Sequence, residues 1–309
     1  MTNIILHHFP TSPFARKIRC ILGAKQLDWQ SVIIPRIMPK PDLVALTGGY
    51  RKTPVLQIGA DIYCDTALIA RKLNSLAAAP DLYPDHAAAA ANAMAAWADS
   101  TLFQAAIPLT FMLEVLKKGF AGREDEMHAL IADRAAMRKD APLAAVPLAE
   151  GRNTFALFLT QLERQLSNGQ DFLFGDSPTI ADFSVYHCLW FVATKPIVGD
   201  LILPFPAIRD WMERINAFGE GNSTEISSAE AIKIAHDSAV SRDKNGSLHP
   251  DFPVGSAIVV QPTDYGITPV SGTLLYCDAH EVVLTRNDER AGEVAVHFPR
   301  THYSISRGQ

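Results

Sequence analysis

The chain has 309 residues, of which 48% are hydrophobic and 20% charged, with a formal net charge of −5. This composition is ordinary for a globular protein with an ample core, and the length predicts two or three domains. No run of about 18 uninterrupted apolar residues occurs, so no membrane-spanning helix is predicted. The N-terminus lacks a charged segment followed by a long apolar run, so no signal peptide is predicted. The four scattered cysteines lack metal-binding or redox spacing, so we expect reduced thiols, a cytoplasmic location and no bound metal.

The first predicted strand and helix lie at the start of the chain. The apolar residues 4–6 predict a buried strand, and residues 7–11 a loop. Ser12 and Pro13 are typical of an N-cap followed by proline at the first helical position. The helix after them has an apolar stripe at helical spacing, formed by Phe14, Ile18, Ile21 and Leu22. The Ser12 hydroxyl therefore lies where free N–H groups favour a nearby anion, although it could simply cap the helix.

Residues 50–66 are the most informative segment. Pro54 directly precedes an apolar strand over 55–58, and proline, which lacks an N–H, is tolerated at the first residue of a strand. A turn leads to a second strand over 62–64, after which Asp65 and Thr66 open a helix over 67–76. The free N–H groups at that helix start predict a binding site for a carboxylate.

The middle of the chain is predicted to be helical. An alanine-rich segment from His86 favours helix until Pro108 kinks or ends it. Thr179 and Asp182 form a pair like a capping box, with aspartate in place of glutamate, and we assign Asp182 a structural role. Further helices are expected over residues 152–166, 183–192, 207–218 and 227–239.

The last part of the chain changes to a β pattern. A polar linker precedes five short β-type segments, at residues 257–260, 273–276, 282–285, 294–298 and 303–305. We expect a small SH3-like barrel or sheet that is separable from the rest. Its four arginines are outnumbered by six carboxylates, so nucleic-acid binding is not predicted.

These motifs resemble the cytosolic glutathione S-transferases. The string from Ser12 to Arg19 is similar to the active-site turn of the serine-type classes, and Thr179 to Asp182 is similar to a hallmark of their helical domain. The resemblance covers roughly residues 3–218. It implies a thioredoxin-like glutathione-binding domain and an all-helical domain, followed here by the additional β-rich domain. With the polar linker and the change to a β pattern, the predicted boundaries are 1–79, 85–240, a linker at 241–252, and 253–309.

The resemblance also implies a site. Ser12 would donate to the glutathione sulfur, and the electrophile pocket would include Phe14, Trp97, Ser100 and Phe103. The implied glutathione-binding residues are Lys52, Thr53, Pro54, Val55, Asp65 and Thr66. The charge distribution agrees, because residues 1–77 carry ten Lys/Arg against four Asp/Glu, a net charge of +6 that could attract an anionic ligand.

The implied function is a glutathione transferase that activates the glutathione thiolate for attack on an apolar electrophile. Two alternatives stay open: a non-catalytic binding protein with the same fold, and a glutathione-dependent isomerase or dehalogenase. The family resemblance further implies a homodimer, in which the N-terminal lobe of one subunit packs on the helical domain of the other. The sequence identifies neither the electrophile nor a role for the C-terminal β-rich part.

Overall fold

A computed structural model describes residues 3–142, 144–244 and 246–308. Its strands are β1 Ile4–His8, β2 Asp28–Ile33, β3 Val55–Ile58, β4 Asp61–Cys64, β5 Asn222–Glu225, β6 Gly246–Ser247, β7 Ala257–Pro262, β8 Val270–Cys277, β9 Glu281–Asp288, β10 Gly292–Pro299 and β11 Tyr303–Arg307. Its helices are α1 Pro13–Ala24, α2 Pro41–Thr47, α3 Thr66–Leu76, α4 Ala88–Trp97, α5 Phe103–Thr110, α6 Leu113–Gly119, α7 Glu124–Arg138, α8 Leu148–Leu166, α9 Ile180–Ala193, α10 Pro206–Ala217 and α11 Ser228–His236. A π-helical turn, Ala98–Leu102, joins α4 to α5. The predicted α/β lobe, helical domain and C-terminal β-rich part are therefore confirmed.

The prediction of a loop over residues 7–11 is wrong at its start, because His7 and His8 belong to β1. Both side chains are buried and have polar neighbours that permit this. His7 Nε2 lies 2.9 Å from Gln57 Oε1, and His8 Nε2 lies 2.9 Å from Ser31 Oγ. Burial lowers the pKa of each imidazole to about 4, so both rings are neutral at physiological pH.

The first lobe, β1–β4 with α1–α3, is a sheet between two cores. Strand β1 pairs in parallel with β2 and antiparallel with β3, and β4 continues the sheet beyond β3. Successive side chains of a strand point to opposite faces. Ile4 and Leu6 accordingly pack towards the helical domain, whereas Ile5 packs towards α2, α11 and the C-terminal strands.

The C-terminal strands β6–β11, which we call the β-region, continue this same sheet. Strands β7–β10 form an antiparallel meander, and β11 returns to pair with β7. The sequence did not indicate that β10 would pair in parallel with β4, aligning Ala295 with Asp61 and His297 with Tyr63. The domain boundaries stay predictions. Strand β4, which precedes the proposed linker in the chain, and β10, which follows it, are nevertheless hydrogen-bonded neighbours in one sheet.

A buried charge network reinforces this junction. His297 Nε2 lies 3.0 Å from Asp61 Oδ1 of the first lobe, and its Nδ1 lies 3.4 Å from Glu281 Oε2. Glu281 also pairs with the ammonium of Lys244. Burial by itself would lower the pKa of His297, but the two carboxylates outweigh burial and raise it. Protonated His297 therefore stabilises the attachment of the β-region to the first lobe.

We expect His297→Gln to destabilise the protein in a pH-dependent way. The folded-state pKa of His297 is raised, so its contribution to the free energy of unfolding is complete below the unfolded-state pKa of about 6.5 and is lost as pH rises through the folded-state pKa. Urea denaturation of both proteins from about pH 6 to about pH 9 measures this. The stability difference should shrink as pH rises.

His128→Gln is the matched control, because His128 is exposed on α7. A stability difference between wild type and His297→Gln that stays constant across the pH series would show that His297 packs at the junction without carrying charge.

Candidate functional site

The N-terminus of α1 places Ser12 at the edge of the first lobe. Ser12 is 3% exposed, and its Oγ accepts a hydrogen bond of 3.2 Å from the backbone N–H of Ala15. Its own N–H donates to the carbonyl of Phe9 at 3.1 Å, which fixes the turn. The hydroxyl proton of Ser12 has no acceptor within the described ranges of the chain. Ser12 can therefore cap α1 and still donate a hydrogen bond to a ligand.

The N-terminus of α3 forms the second part of the site. Asp65 is its N-cap, with Oδ1 accepting from the N–H of Ala67 at 3.0 Å, and Thr66 is the first helical residue. The Thr53–Pro54 peptide bond is cis, and Val55 follows as the first residue of β3. The Thr53–Pro54 turn and Asp65 lie at the same end of the paired strands β3 and β4, where Val55 pairs with Cys64, and form one edge of the first lobe.

A buried charge cluster joins α1 to the helical domain behind this edge. Lys17 Nζ donates to Asp99 Oδ2 at 2.6 Å and to Thr66 Oγ1 at 3.3 Å, while His187 Nε2 lies 2.9 Å from Asp99 Oδ1. The Lys17 and His187 side chains are 0% exposed. Burial alone would raise the pKa of Asp99, but Lys17 and His187 outweigh it and lower the pKa to about 2. Asp99 is therefore ionised throughout the physiological range.

The predicted electrophile-pocket residues are only partly brought together. Phe14 packs against Phe103 and against His187, each with a ring-centroid distance of 4.6 Å. Trp97 instead packs on Phe158 of α8 at 4.9 Å. Ser100 is exposed and donates to the carbonyl of Ala96 in its own helix at 2.6 Å. Half-buried Phe14, two residues from Ser12 in the chain, and buried Phe103 thus form one aromatic surface, which Trp97 and Ser100 do not join.

The β-region contributes directly to the site, which the sequence did not reveal. Lys52 Nζ donates to Asp264 Oδ1 at 2.6 Å and lies 4.3 Å from the ring centroid of Tyr265. Tyr303 donates its hydroxyl to Asp65 Oδ2 at 3.1 Å. Two of the predicted glutathione-binding residues, Lys52 and Asp65, therefore already have partners from the β7–β8 loop and β11.

Lys40 is a further cation that the sequence analysis missed. It is buried, its Nζ donates to Thr53 Oγ1 at 3.1 Å, and it lies 5.7 Å from the ring centroid of Phe9. Burial, aided by the charges of Arg134 and Arg51, lowers the pKa of Lys40 to about 8. Lys40 has no ion-pair partner in the part of the chain that the structure describes. In the sequence, Lys40 is one of the ten Lys/Arg residues of positions 1–77, and no local pattern indicates that it lies buried beside the Thr53–Pro54 turn.

A cavity of about 260 Å³ lies where the first lobe, the helical domain and the β-region meet. Lys17 and Ala67 line it from the first lobe, Asp99 from the π-helical turn, and His280 and Pro299 from the β-region. Its wall thus includes the start of α3 and both partners of the buried ion pair, so a zwitterionic group could be accommodated there.

Two negative findings apply to the described residues. They contain no group of three or more His, Cys, Asp or Glu side chains arranged to hold a metal ion. They also contain no helix of sufficient length and hydrophobicity to cross a membrane.

Comparison with known families gives two matches. Residues 6–81 match the model of the glutathione S-transferase N-terminal domain, and residues 145–214 match that of the glutathione S-transferase C-terminal domain. No curated protein matches the chain. Residues 82–144, which include α4–α7, lie outside both family models.

Among solved structures, a GST-like protein from Pseudomonas syringae is similar over the full length of both chains, with 42% identity and a TM-score of 0.83. A glutathione S-transferase from Rhodospirillum rubrum F11 is 20% identical over 69% of this chain and 88% of its own, with a TM-score of 0.52. The beta-etherase LigF from Sphingobium sp. strain SYK-6 is 19% identical over 70% of this chain and 96% of its own, with a TM-score of 0.51. The last two show the fold alone. Together the matches confirm a thioredoxin-like N-terminal domain, a helical domain and an additional C-terminal sheet.

We expect Asp99→Asn to lower the free energy of unfolding by about 3–5 kcal/mol, because it leaves the buried Lys17 ammonium without its counter-charge. Urea denaturation at neutral pH measures the loss. The double variant Lys17→Met, Asp99→Asn is the control, since it removes the uncompensated charge as well. If the double variant is no more stable than Asp99→Asn alone, the ion pair is not what holds α1 on the helical domain.

Proposed function

Because this chain belongs to the glutathione S-transferase family, we propose that it binds glutathione on the first lobe and uses the bound thiolate as a nucleophile. The observation that carries this proposal is Ser12, whose Oγ caps α1 while its hydroxyl proton stays uncommitted. A helix cap needs only the hydrogen bond that Ser12 accepts. The uncommitted hydroxyl proton therefore favours a role in thiolate activation over a purely structural role.

The chemistry follows from thiol acidity. A free thiol has a pKa of about 8.5, and only the thiolate is a good nucleophile. A hydrogen bond from Ser12, together with the free N–H groups of α1, favours the anion, and the thiol proton passes to solvent. The sulfur then forms a bond to an electrophilic carbon, and in a substitution the leaving group departs with its electron pair.

We propose that the rest of glutathione is held by charge complementarity along the same edge. The γ-glutamyl carboxylate would accept from Thr66 and the N–H groups of α3, with Asp65 facing the ammonium, and Val55 would pair with the peptide backbone. Thr53 and Pro54 shape the turn beside it. Lys52 could hold the glycine carboxylate only by leaving Asp264. Lys40 is available without such a change, so we propose it as the main cation for that carboxylate.

The electrophile would lie against Phe14 and Phe103, which pack on each other beside α9. Trp97 and Ser100 stay predictions for this pocket. A second candidate function, a glutathione-binding protein without turnover, is favoured by one observation: Asp264 and Tyr303 of the β-region already occupy Lys52 and Asp65. Homodimerisation and a cytoplasmic location also stay predictions.

Ser12→Ala should slow conjugation while glutathione binding is largely retained. One charge-assisted hydrogen bond contributes about 1.5–3 kcal/mol, so the pKa of the bound thiol should rise by about one to two units. Titration of the ultraviolet absorbance of bound thiolate measures this, with Thr11→Ala as the matched control. A titration curve identical to that of the wild type would leave Ser12 as a helix cap only.

Lys40→Met should raise the KM for glutathione about tenfold with little change in kcat, because the carboxylate contact is present in both ground and transition states. For the wild type, glutathione affinity should weaken as pH rises above about 8, since Lys40 then loses its charge. Steady-state kinetics measure both effects, with Lys117→Met, at an exposed position of α6, as the control. A fall in kcat at unaltered KM would contradict a binding role for Lys40.

A further inference from the structure

Three half-buried cations lie near one another, one at the end of a first-lobe strand and two in the helical domain. Arg36 follows β2, Arg134 lies on α7 and Lys195 follows α9. Arg134 Nη2 donates to the carbonyl oxygen of Arg36 at 3.2 Å, and the Arg36 guanidinium lies 5.3 Å from the ring centroid of Phe120. We call Arg36, Arg134 and Lys195 the cation triad.

Among the described residues the triad has fewer nearby carboxylates than cations. Glu126 lies near Arg36 but pairs with Arg123 at 3.4 Å. Asp133 lies beside the triad, but it already pairs with Arg51 at 2.9 Å and with Arg134, and accepts from the N–H of Met38 at 3.1 Å. Neither the Arg36 guanidinium nor the Lys195 ammonium donates a hydrogen bond to any residue that the structure describes. The buried Arg36 Nε likewise has no hydrogen-bond partner among those residues.

The cations also oppose one another. Burial and then the charge of Arg134 lower the pKa of Arg36, and burial and then the charge of Arg36 lower the pKa of Lys195. Buried charges are normally paired, because taking an unpaired ion out of water is costly. An arrangement of like charges with one shared carboxylate is therefore stabilised by a bound anion.

Lys195 connects the triad to the aromatic surface on which the electrophile would lie. The Lys195 ammonium is 5.0 Å from the ring centroid of Phe191, which is 5.8 Å from that of Phe103. Phe103 in turn packs on Phe14, two residues from Ser12. A short chain of ring contacts thus connects Lys195 to the start of α1.

We propose that the cation triad binds an oxyanion group of the second substrate, so that the electrophile is an organic anion and not a purely apolar molecule. The proposal rests on the proposed transferase function and adds the substrate class. The carboxylates of glutathione are already assigned to Lys40 and the start of α3. The apolar, reacting part of the electrophile would remain on Phe14 and Phe103, and its carboxylate, sulfonate or phosphate would face the triad.

A matched pair of probes tests this: 4-chloro-3,5-dinitrobenzoate and its methyl ester, each at saturating glutathione. In both reactions a carbon–sulfur bond forms, the carbon–chlorine bond breaks and chloride leaves with the electron pair. Each kcat/KM is divided by the uncatalysed rate constant of the same probe with glutathione. The carboxylate-to-ester ratio of these quotients should exceed one for the wild type.

Two variants locate the effect. Lys195→Met and Arg134→Met should each lower the carboxylate-to-ester ratio by about tenfold or more, the effect of one charge-assisted hydrogen bond. Lys195→Met disturbs no hydrogen bond of its side chain within the described residues, so it remains informative if Arg134→Met fails to fold. Arg209→Met removes the same charge from an exposed position of α10 and should leave the ratio unchanged.

The outcomes separate the two proposals. Turnover of both probes with a ratio of one or less, or a ratio that the triad variants do not alter, overturns the anion site and leaves the transferase function standing. A matching loss of glutathione affinity in the variants also overturns it, because the triad would then serve glutathione. If neither probe is turned over, the transferase function fails. Calorimetry with 3,5-dinitrobenzoate then decides the anion site: binding lost in Lys195→Met supports it, and no binding by the wild type overturns it.

Discussion

The geometry of the site depends on one half-buried carboxylate. Asp99 lies in the turn between α4 and α5, and it holds Lys17 of α1 and His187 of α9 at the same time. Removing charges from water costs several kcal/mol per ion, so the three elements cannot separate without leaving a buried ammonium unpaired. This constraint fixes the start of α1, and with it Ser12, relative to the helical domain. The same contact places the His187 ring beside Phe14, so the positions of Ser12 and of the aromatic surface are set together.

The β-region adds a second constraint through its contacts with the first lobe and the helical domain. Because β10 extends the sheet from β4, the loop before β8 reaches the turn that contains Lys52. Gly266 secures this loop on the helical domain: its N–H donates to the carbonyl of Met137 at 2.8 Å, and its φ of +61° suits a residue without a side chain. The site is therefore enclosed by the first lobe, the helical domain and the β-region, and none of them forms it alone.

Local patterns predicted most of the fold. The C-terminal strands, the capping box at Thr179 and the helix start at Asp65 each have a short-range signal, and each was found where expected. Strand β2 was missed because polar residues interrupt its apolar pattern, and α7 because only Met127 and Leu130 of its residues are buried apolar ones. Contacts such as that between Lys52 and Asp264 join residues 212 positions apart, and no local pattern encodes them. The site residues contributed by the β-region could not be predicted for this reason.

The charge of the first lobe illustrates the difference between composition and placement. A net charge of +6 over residues 1–77 indicated an anionic ligand but could not say where it binds. Folding spreads part of that charge over ordinary ion pairs, such as Arg51 with Asp133, whereas Lys40 and Arg36 have no ion-pair partner among the described residues. It also brings Arg134 and Lys195 from the helical part of the chain to the same place. Helix α7, which carries Arg134, belongs to the segment outside both family models. Because cations without a counter-charge weaken the folded protein when they are taken out of water, a ligand that pairs with Lys40, Arg36 and Lys195 explains their placement most directly.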